Sequence, residues 1–503
     1  MKKYTGINIG PVVPTITLGR KPREIWSASY LFSFLMESII NEIKKVENIK
    51  IISPEVLTEK HIGVGLYPDR VFVQGNFDAQ KVVNSALDEF YKTTGISSDY
   101  VNVMHVTING KDANEDNESI KRLNQLLDCT ELCNRSTDSM ARNKVLELIQ
   151  KKNDSCLFEQ AHNNKNFPIP YLAEIATKRL EKLKADEWTE LRDKYKGKDA
   201  YLDGDEDAFY QDLKQDFKEK YGEDFYSYYK YICIVQADGD NMGKIVSSVS
   251  ADKVMEVSKA LLKYGKSACE KVKEYGGLPI YAGGDDLLFI APVRGNDQTI
   301  FDLIDKIDKL YADVVDKSID GFRPDNLHTY LSYGLSISYY KYPLYEAFKA
   351  ALDLLFDRAK KVKGKNAVSW QLRKHSGSGF KGELSKNNEL YATLKDIMKI
   401  SVDENQISAI AHKLRRNENL LDILLGKFKK DKDTEALEER IENFYKKTME
   451  DTGDDKYTIQ TRDLLFKLMK ESDEKINIET ILENMYGMLR TAKFIKGEGE
   501  SDE

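Results

Sequence analysis

Residues 281–290 read Tyr-Ala-Gly-Gly-Asp-Asp-Leu-Leu-Phe-Ile. Two adjacent acids follow two glycines, with β-forming apolar residues on both sides. The pattern predicts a hairpin with Gly283 and Gly284 in the turn and Asp285 and Asp286 at its tip. Paired carboxylates there are useful when a cation binds them. Mg²⁺ (or Mn²⁺) is the natural guest, because it takes a few hard oxygens and keeps its other positions for water and phosphate. Alone, Gly-Gly-Asp-Asp also describes an ordinary acidic turn. A second acidic turn lies upstream: Tyr231 to Ala237 is apolar enough for a buried strand and runs into Asp238-Gly239-Asp240-Asn241-Met242-Gly243-Lys244. Gly239 and Gly243 let backbone approach a ligand, and Lys244 can meet phosphate.

The elements between these turns must position them. Val254, Val257, Leu261, Ala268 and Val272 recur at helical spacing. A helix near Ile300–Tyr311 and a strand over Thr329–Ser338 follow the hairpin. The order strand–helix–strand–strand–helix–strand is that of a ferredoxin-like palm. In it the first strand neighbours the hairpin, so Asp238 and the Asp285/Asp286 pair converge. Two metals about 3.5–4 Å apart at such a point would stabilise the attacking and leaving oxygens of a phosphoryl displacement.

This segment resembles the catalytic palm shared by GGDEF-type nucleotide cyclases and the large polymerase/cyclase subunit of type III CRISPR effector complexes. Leu352 to Asn366, with Ala359-Lys360 and Gly364-Lys365-Asn366, is similar to the GGDEF-family helix ending in Ala-Lys and Gly-Arg-Asn. The match implies that Lys360 contacts triphosphate. Lys365 stands where the family has Arg, so a bidentate contact is not carried over. Trp370 to Gly377 resembles the strand end that closes the CRISPR subunit's palm.

The N-terminus separates the two families. Ile9-Gly10-Pro11-Val12, Arg20 and Glu24 to Leu31 resemble the opening of the Cmr-type (type III-B) large subunit. Leu66 to Phe72 resembles its Leu-Pro-Asn-Arg-Phe segment, and Phe167-Pro168 with Ala173 to Thr177 another of its stretches. The expected fold class is α+β: two ferredoxin-like, GGDEF/polymerase-like palms, a helical and zinc-finger-like insert, and a C-terminal helical bundle. Residues 1–115 form the first palm, which has no Asp-Asp turn and is expected to be catalytically silent. Residues 116–228 are helix-rich, 229–378 the catalytic palm, 384–495 all-helical, and 496–503 a disordered acidic tail.

Composition agrees. The chain has 503 residues, 32% of them charged, and a net charge of −7. Domains that hold nucleic acid by bulk charge are usually basic; an acidic balance suits a subunit whose RNA is held largely by partner chains. No apolar run reaches transmembrane length and no signal core follows Met1, so the expected location is cytoplasmic. Cys129 and Cys133 form a C-x₃-C pair, with Cys156 and His162 downstream. Related large subunits carry two C-x₂-C pairs here. A Cys₃His zinc site and a degenerate finger with unligated thiols both fit this spacing. Cys233 and Cys269 read as core. No His-Asp dipeptide occurs, so the His-Asp nuclease of many relatives is not expected.

The resemblance implies nucleotidyl transfer from ATP, switched on when a guide RNA complex captures target RNA. The implied partners are the other Cmr-type subunits: neighbouring small subunits and the subunit that binds the guide end. Asp238, the Gly239 carbonyl, Asp285 and Asp286 would hold Mg²⁺. Asp240, Asn241, Gly243, Lys244, Gly283, Gly284, Lys360 and Lys365 would surround the nucleotide, with Ser332 at adenine or ribose. Two products are open: cyclic oligoadenylate, and AMP joined to S-adenosylmethionine. Asp69 bears on the second, since the family residue there is a neutral Asn. A carboxylate could pair with a cationic acceptor, or simply cap the turn after Pro68. A catalytically inactive scaffold and a stand-alone GGDEF-type cyclase are the other readings. The intact acids argue against the first and the N-terminal matches against the second.

Overall fold

The computed structural model describes residues 2–57, 64–110, 116–134, 169–183, 189–190, 208, 210–215, 225–295, 298–324, 327–377, 379–386, 389–400, 404–449, 456–472 and 474–497. Cys156 and His162 lie outside these residues, and of Cys133 only the helical backbone is described. The expected zinc site therefore falls largely outside the described structure.

Two sheets share one topology. The first has the order β2-β3-β1-β4, built from β1 (Lys3–Gly10), β2 (Lys50–Ser53), β3 (Arg70–Gln74) and β4 (Asn102–Asn109). Helices α1 (Pro22–Lys44) and α2 (Ala79–Thr94) connect them. A third helix, α3 (Asp116–Asn134), carries the exposed Cys129.

The second sheet runs β10-β9-β8-β5-β7-β6. The four strands at one end, in the order β8-β5-β7-β6, repeat the palm: β5 (Tyr231–Gly239), β6 (Leu278–Tyr281), β7 (Leu287–Pro292) and β8 (Leu331–Tyr339). A short helix α4 (Met242–Val246) and the long α5 (Ala251–Tyr275) follow β5, and α6 (Ile300–Tyr311) follows β7. Helix α7 (Leu344–Asp353) leads through a π-helical turn, Leu354–Arg358, to β9 (Ala367–Arg373). The two-palm α+β class expected from the motifs is present.

Strand β5 explains how the palms join. Side chains alternate across a strand. Tyr231, Cys233, Val235 and Ala237 enter the core under α5 and α6. Ile232 and Ile234 enter a second core with Trp26, Leu31 and Leu35 of α1. Both faces are covered, so the strand reads as an unbroken apolar run. Burial pushes the Cys233 and Cys269 thiols up, the latter to about 12, in keeping with core roles.

The second sheet extends past the expected palm limit. Strand β10 (Gly379–Ser385) pairs antiparallel with β9 across Gly379↔Arg373 to Ser385↔Ala367. Its Gly-Ser-rich lead-in hid it in the sequence. The helical region begins after it, with α8 (Glu389–Ile397), α9 (Glu404–Arg416), α10 (Glu418–Asp431), α11 (Thr434–Thr448), α12 (Lys456–Lys470) and α13 (Ile478–Lys496). Helix α13 covers the free edge of β10. The Asn484 amide donates to Glu383 O at 2.9 Å and its oxygen accepts from Glu383 N at 2.9 Å, as a neighbouring strand would. Trp370 Nε1 donates to Thr491 Oγ1 at 3.0 Å. A Cβ at Gly487 would lie 1.7 Å from Lys381 O, so only glycine lets helix and strand meet here. Gly487→Val should cost about 3 kcal/mol or more by overpacking. Urea unfolding would show it, together with new protease sensitivity between the palm and the bundle; unchanged unfolding would mean that the docking is not as described.

Candidate active site

The catalytic candidates sit where β5 ends between its two neighbours. Asp238 pairs with Ser332 and Gly239 with Leu331 on β8, while Ala237 pairs with Leu287 on β7. The register brings the Asp238 turn beside the 282–286 turn. A Cβ on Gly239 would meet Asp285 Oδ2 at 2.5 Å and Tyr311 Oη at 2.9 Å. Gly239 is therefore needed by Asp285 itself. Gly284 has φ +68°, which permits the tight hairpin tip, and Asp286 N donates to Gly283 O at 3.3 Å.

The Lys360 ammonium is the hub of the loop. It donates to Asp238 O at 3.0 Å, Gly239 O at 2.9 Å and Asp240 Oδ1 at 2.8 Å, and pairs with the Asp238 carboxylate. The sequence placed Lys360 on triphosphate; here it is bound to the acid loop. The reason is electrostatic, since buried carboxylates need a counter-charge. Burial lowers the lysine's pKa, but Asp238 and Asp240 outweigh burial and raise it.

Two further residues hold the loop from inside. Asp240 and Ser332, expected at the nucleotide, face inward. Asp240 is fully buried. Its Oδ2 accepts from Ser332 Oγ at 2.7 Å and Asn366 N at 2.8 Å. Its N–H donates to Tyr330 O at 2.7 Å, and its carbonyl accepts from Thr329 Oγ1 at 2.7 Å. Ser332 is equally buried and also accepts from Ala367 N at 3.3 Å. Both anchor the loop. Asn241 has φ +65° and donates through Nδ2 to His328 O at 3.0 Å. Gly243 and Lys244 are exposed on α4. Lys365 has φ +56°, and its charge lowers Asp238.

The acids repel one another. Loss of solvation raises Asp238 against the pull of Lys360. Desolvation, then the Asp238 charge, lift Asp285 to about 7. Asp286 rises further, through desolvation and the charges of Asp285, Asp238 and Asp69. These two side chains keep partial contact with solvent, so a cation can reach them.

The first palm contributes to the same place. Ser29 and Ser33 lie one turn apart on α1. Ser29 Oγ donates to Ile280 O at 2.8 Å, and Ser33 Oγ accepts from Leu66 N at 3.1 Å and Tyr67 N at 3.0 Å. Gly65 bridges to Tyr281 of β6, and Gly65 O accepts from Ala282 N at 2.8 Å. This pins the 64–69 segment against the hairpin. Asp69 O accepts from Ile9 N at 2.9 Å; loss of solvation, aided by the charges of Glu131 and Asp128, raises the solvent-facing Asp69 carboxyl although Arg70 lowers it. Ser29, Ser33, Thr329 and Asn366 escaped sequence reasoning. Only the serine pair at helical spacing offered a signal.

Magnesium fits the oxygens present. Two carbonyls and two carboxylates already converge on one positive nitrogen, Lys360 Nζ. Among the described residues no three ligating side chains enclose a metal by themselves, but Mg²⁺ asks for only one or two carboxylates.

A duplicated palm whose second copy carries a Gly-Gly-Asp-Asp hairpin beside an acidic loop defines a two-palm protein with one clustered acidic site. The second palm domain of Cas10/Cmr2 matches residues 231–369, and the N-terminal domain of the CRISPR-associated protein Cmr2 matches residues 4–98. In these two segments the chain is similar to Cmr2-type subunits of type III-B CRISPR systems. The CRISPR system Cmr subunit Cmr2 of Pyrococcus furiosus is 30% identical over 177 residues. That alignment covers 30% of this chain and 19% of the relative, about a fifth of its length. Among solved structures, a type III-B Cmr-beta in its apo state has a TM-score of 0.62 at 12% identity, covering 98% of this chain and 81% of that one. Cmr-beta bound to cognate target RNA gives 0.53 at 11%, covering 98% and 83%. A Csm1–Csm4 cassette in complex with cA3 gives 0.51 at 12%, covering 98% and 69%. At these identities the likeness is one of fold. No helix among the described residues is long and apolar enough to cross a membrane.

Proposed function

We propose that this chain is the nucleotidyltransferase of a type III-B CRISPR complex, making a nucleotide second messenger from ATP when the complex holds guide and target RNA. The observation that carries this reading is the juxtaposition of the Asp238 loop, whose carbonyls and carboxylates gather on Lys360, with the Asp285/Asp286 tip packed against Gly239. The residues that would hold Mg²⁺ are Asp238, Asp285, Asp286 and the Gly239 carbonyl. Bound there, the metal supplies charge stabilisation and orients the phosphates. The chain's own contribution is positioning. The buried Asp240–Ser332–Asn366 network holds the loop rigid. Lys360 stands ready to exchange its carboxylates for phosphate oxygens, and Lys365 and Lys244 add positive charge at the rim. An acceptor hydroxyl attacks the α-phosphorus of ATP and pyrophosphate leaves.

The relatives solved with cA3 and with target RNA are consistent with an oligoadenylate product and RNA control. Asp69 favours a second reading, in which the acceptor is S-adenosylmethionine. Its charge is among those that raise Asp286, so negative charge from both palms faces the site. Assembled complex given target RNA, labelled ATP and each acceptor separates the products; no nucleotide product with either acceptor would leave a scaffold role. Asp69→Asn should weaken S-adenosylmethionine use by up to about 1 kcal/mol, as for an exposed charge pair, with ATP affinity nearly kept. Equal use by both proteins would remove Asp69 from the acceptor site.

A further inference from the structure

We propose that the cleft between strand β10 and the C-terminal helices is a binding groove for single-stranded RNA. The cleft has a volume of about 910 Å³ and is formed by β10, the 357–363 turn, α9, the end of α12 and α13. Two aromatic rings lie in its wall, Phe380 of β10 and Tyr486 of α13, edge to face with centroids 5.7 Å apart. Cations surround them. Lys374 Nζ lies 5.6 Å from the Phe380 centroid. The Arg490 guanidinium lies 5.1 Å from Tyr486 and 5.9 Å from Phe380, and Arg415 lies 5.5 Å from Tyr486. Arg490 Nε also donates to Tyr486 Oη at 2.8 Å, and its Nη2 to Ser408 Oγ at 3.2 Å, which holds the guanidinium in place.

Charge and reach point the same way. Arg358 and Lys361 in the cleft wall are paired with Glu383 and Asp357. Lys363, Lys381 and Arg415 make no ion pair with described residues, and the last two are exposed. Glu471 and Glu483 are the remaining acids of the wall. The wall thus holds five cations, Arg358, Lys361, Lys363, Lys381 and Arg415, against four acids. Aromatic faces interleaved with arginines suit unstacked bases, while lysines at the rim suit phosphodiesters. An acidic protein segment would use the cations but not the rings. The 361–365 turn that borders the cleft continues directly from Lys360, so an occupied cleft adjoins the catalytic loop.

The inference rests on the reading that this chain works beside RNA, and the experiment separates the two. Full-length protein is titrated against a fluorescent single-stranded RNA of about 20 nucleotides, a length that exceeds the site size of one single-strand-binding fold, with basal ATP turnover and melting temperature measured in parallel. Lys381→Glu with Arg415→Glu should weaken RNA binding at least tenfold. It should also reduce the slope of log affinity against log salt by about 1.4, as for two lost phosphate contacts at about 0.7 each. Tyr486→Leu should weaken binding several-fold at every salt concentration with the slope kept, and Tyr486→Phe should bind as the wild type does. Turnover should not change in any of these. Wild-type affinity in the charge-reversed protein, or no RNA binding by the wild type, would overturn the groove while leaving catalysis in place. So would polyglutamate competing as well as RNA with Tyr486→Leu neutral, which would mark an acidic-protein dock. Absent turnover in every protein, measured after assembly into the complex with guide and target RNA, would instead count against the catalytic reading.

Discussion

Asp285→Asn combined with Asp286→Asn should abolish nucleotidyl transfer and yet stabilise the metal-free protein. The expected rate loss is about a thousand-fold or more, equivalent to about 4 kcal/mol of transition-state stabilisation. The stability effect has the opposite sign because the two carboxyls are held apart from their ordinary ionisation. Their folded values lie above the unfolded one, with Asp285 at about 7 and Asp286 raised beyond the usual carboxylate range. Such groups favour the fold below an unfolded value of about 4 and lose that contribution as pH rises through about 7. Neutral amides remove the loss. Allowing for the partial exposure of both side chains, the gain at about pH 8 should be roughly 1–2 kcal/mol. Mg²⁺ should raise the melting temperature of the wild type and leave the variant unmoved. Its affinity for the wild type should strengthen between about pH 6 and about pH 8, as protons stop competing. A variant that still forms product at a comparable rate would remove the hairpin from the chemistry.

The second large effect belongs to Lys360. Lys360→Met would leave the carboxylates of Asp238 and Asp240 without their ammonium, the latter fully buried. Breaking a buried pair from one side costs about 3–5 kcal/mol. Ser332 and Asn366 would still bond Asp240, which puts the expectation at the lower end. Adding Asp240→Asn should recover much of the loss, because the stranded charge is gone, and the two changes should be far from additive. Activity should not return, since the loop would have lost its cation. Urea denaturation of the four proteins measures this cycle. If Lys360→Met unfolds like the wild type, the ammonium does not hold the acid loop.

The outline of the second palm was legible because local chemistry dictates it. Gly-Gly-Asp-Asp between β-forming residues admits few conformations. The apolar run Tyr231–Ala237 is what a strand covered on both faces requires. Strand β10 was not legible. Its sequence, Gly-Phe-Lys-Gly-Glu-Leu-Ser, has weak alternation, and its edge is satisfied by Asn484 from a helix about a hundred residues away. Asp240 and Ser332 are expected at the nucleotide from their motif segments. Their direction was decided by a register, Asp238 opposite Ser332, that no local pattern contains.

The sequence by itself determined which residues carry charge at the two turns, that a palm surrounds them, and that a second palm precedes it. These follow from residue types at short spacing. Tertiary structure alone decided that Lys360 neutralises the loop, that Ser29 and Ser33 of the first palm fasten the hairpin of the second, and that Asp69 adds its charge to Asp286. Each of these joins residues far apart in the chain. Burial sets the cost of leaving such a group unpaired, and burial is a property of the packed fold rather than of any segment within it.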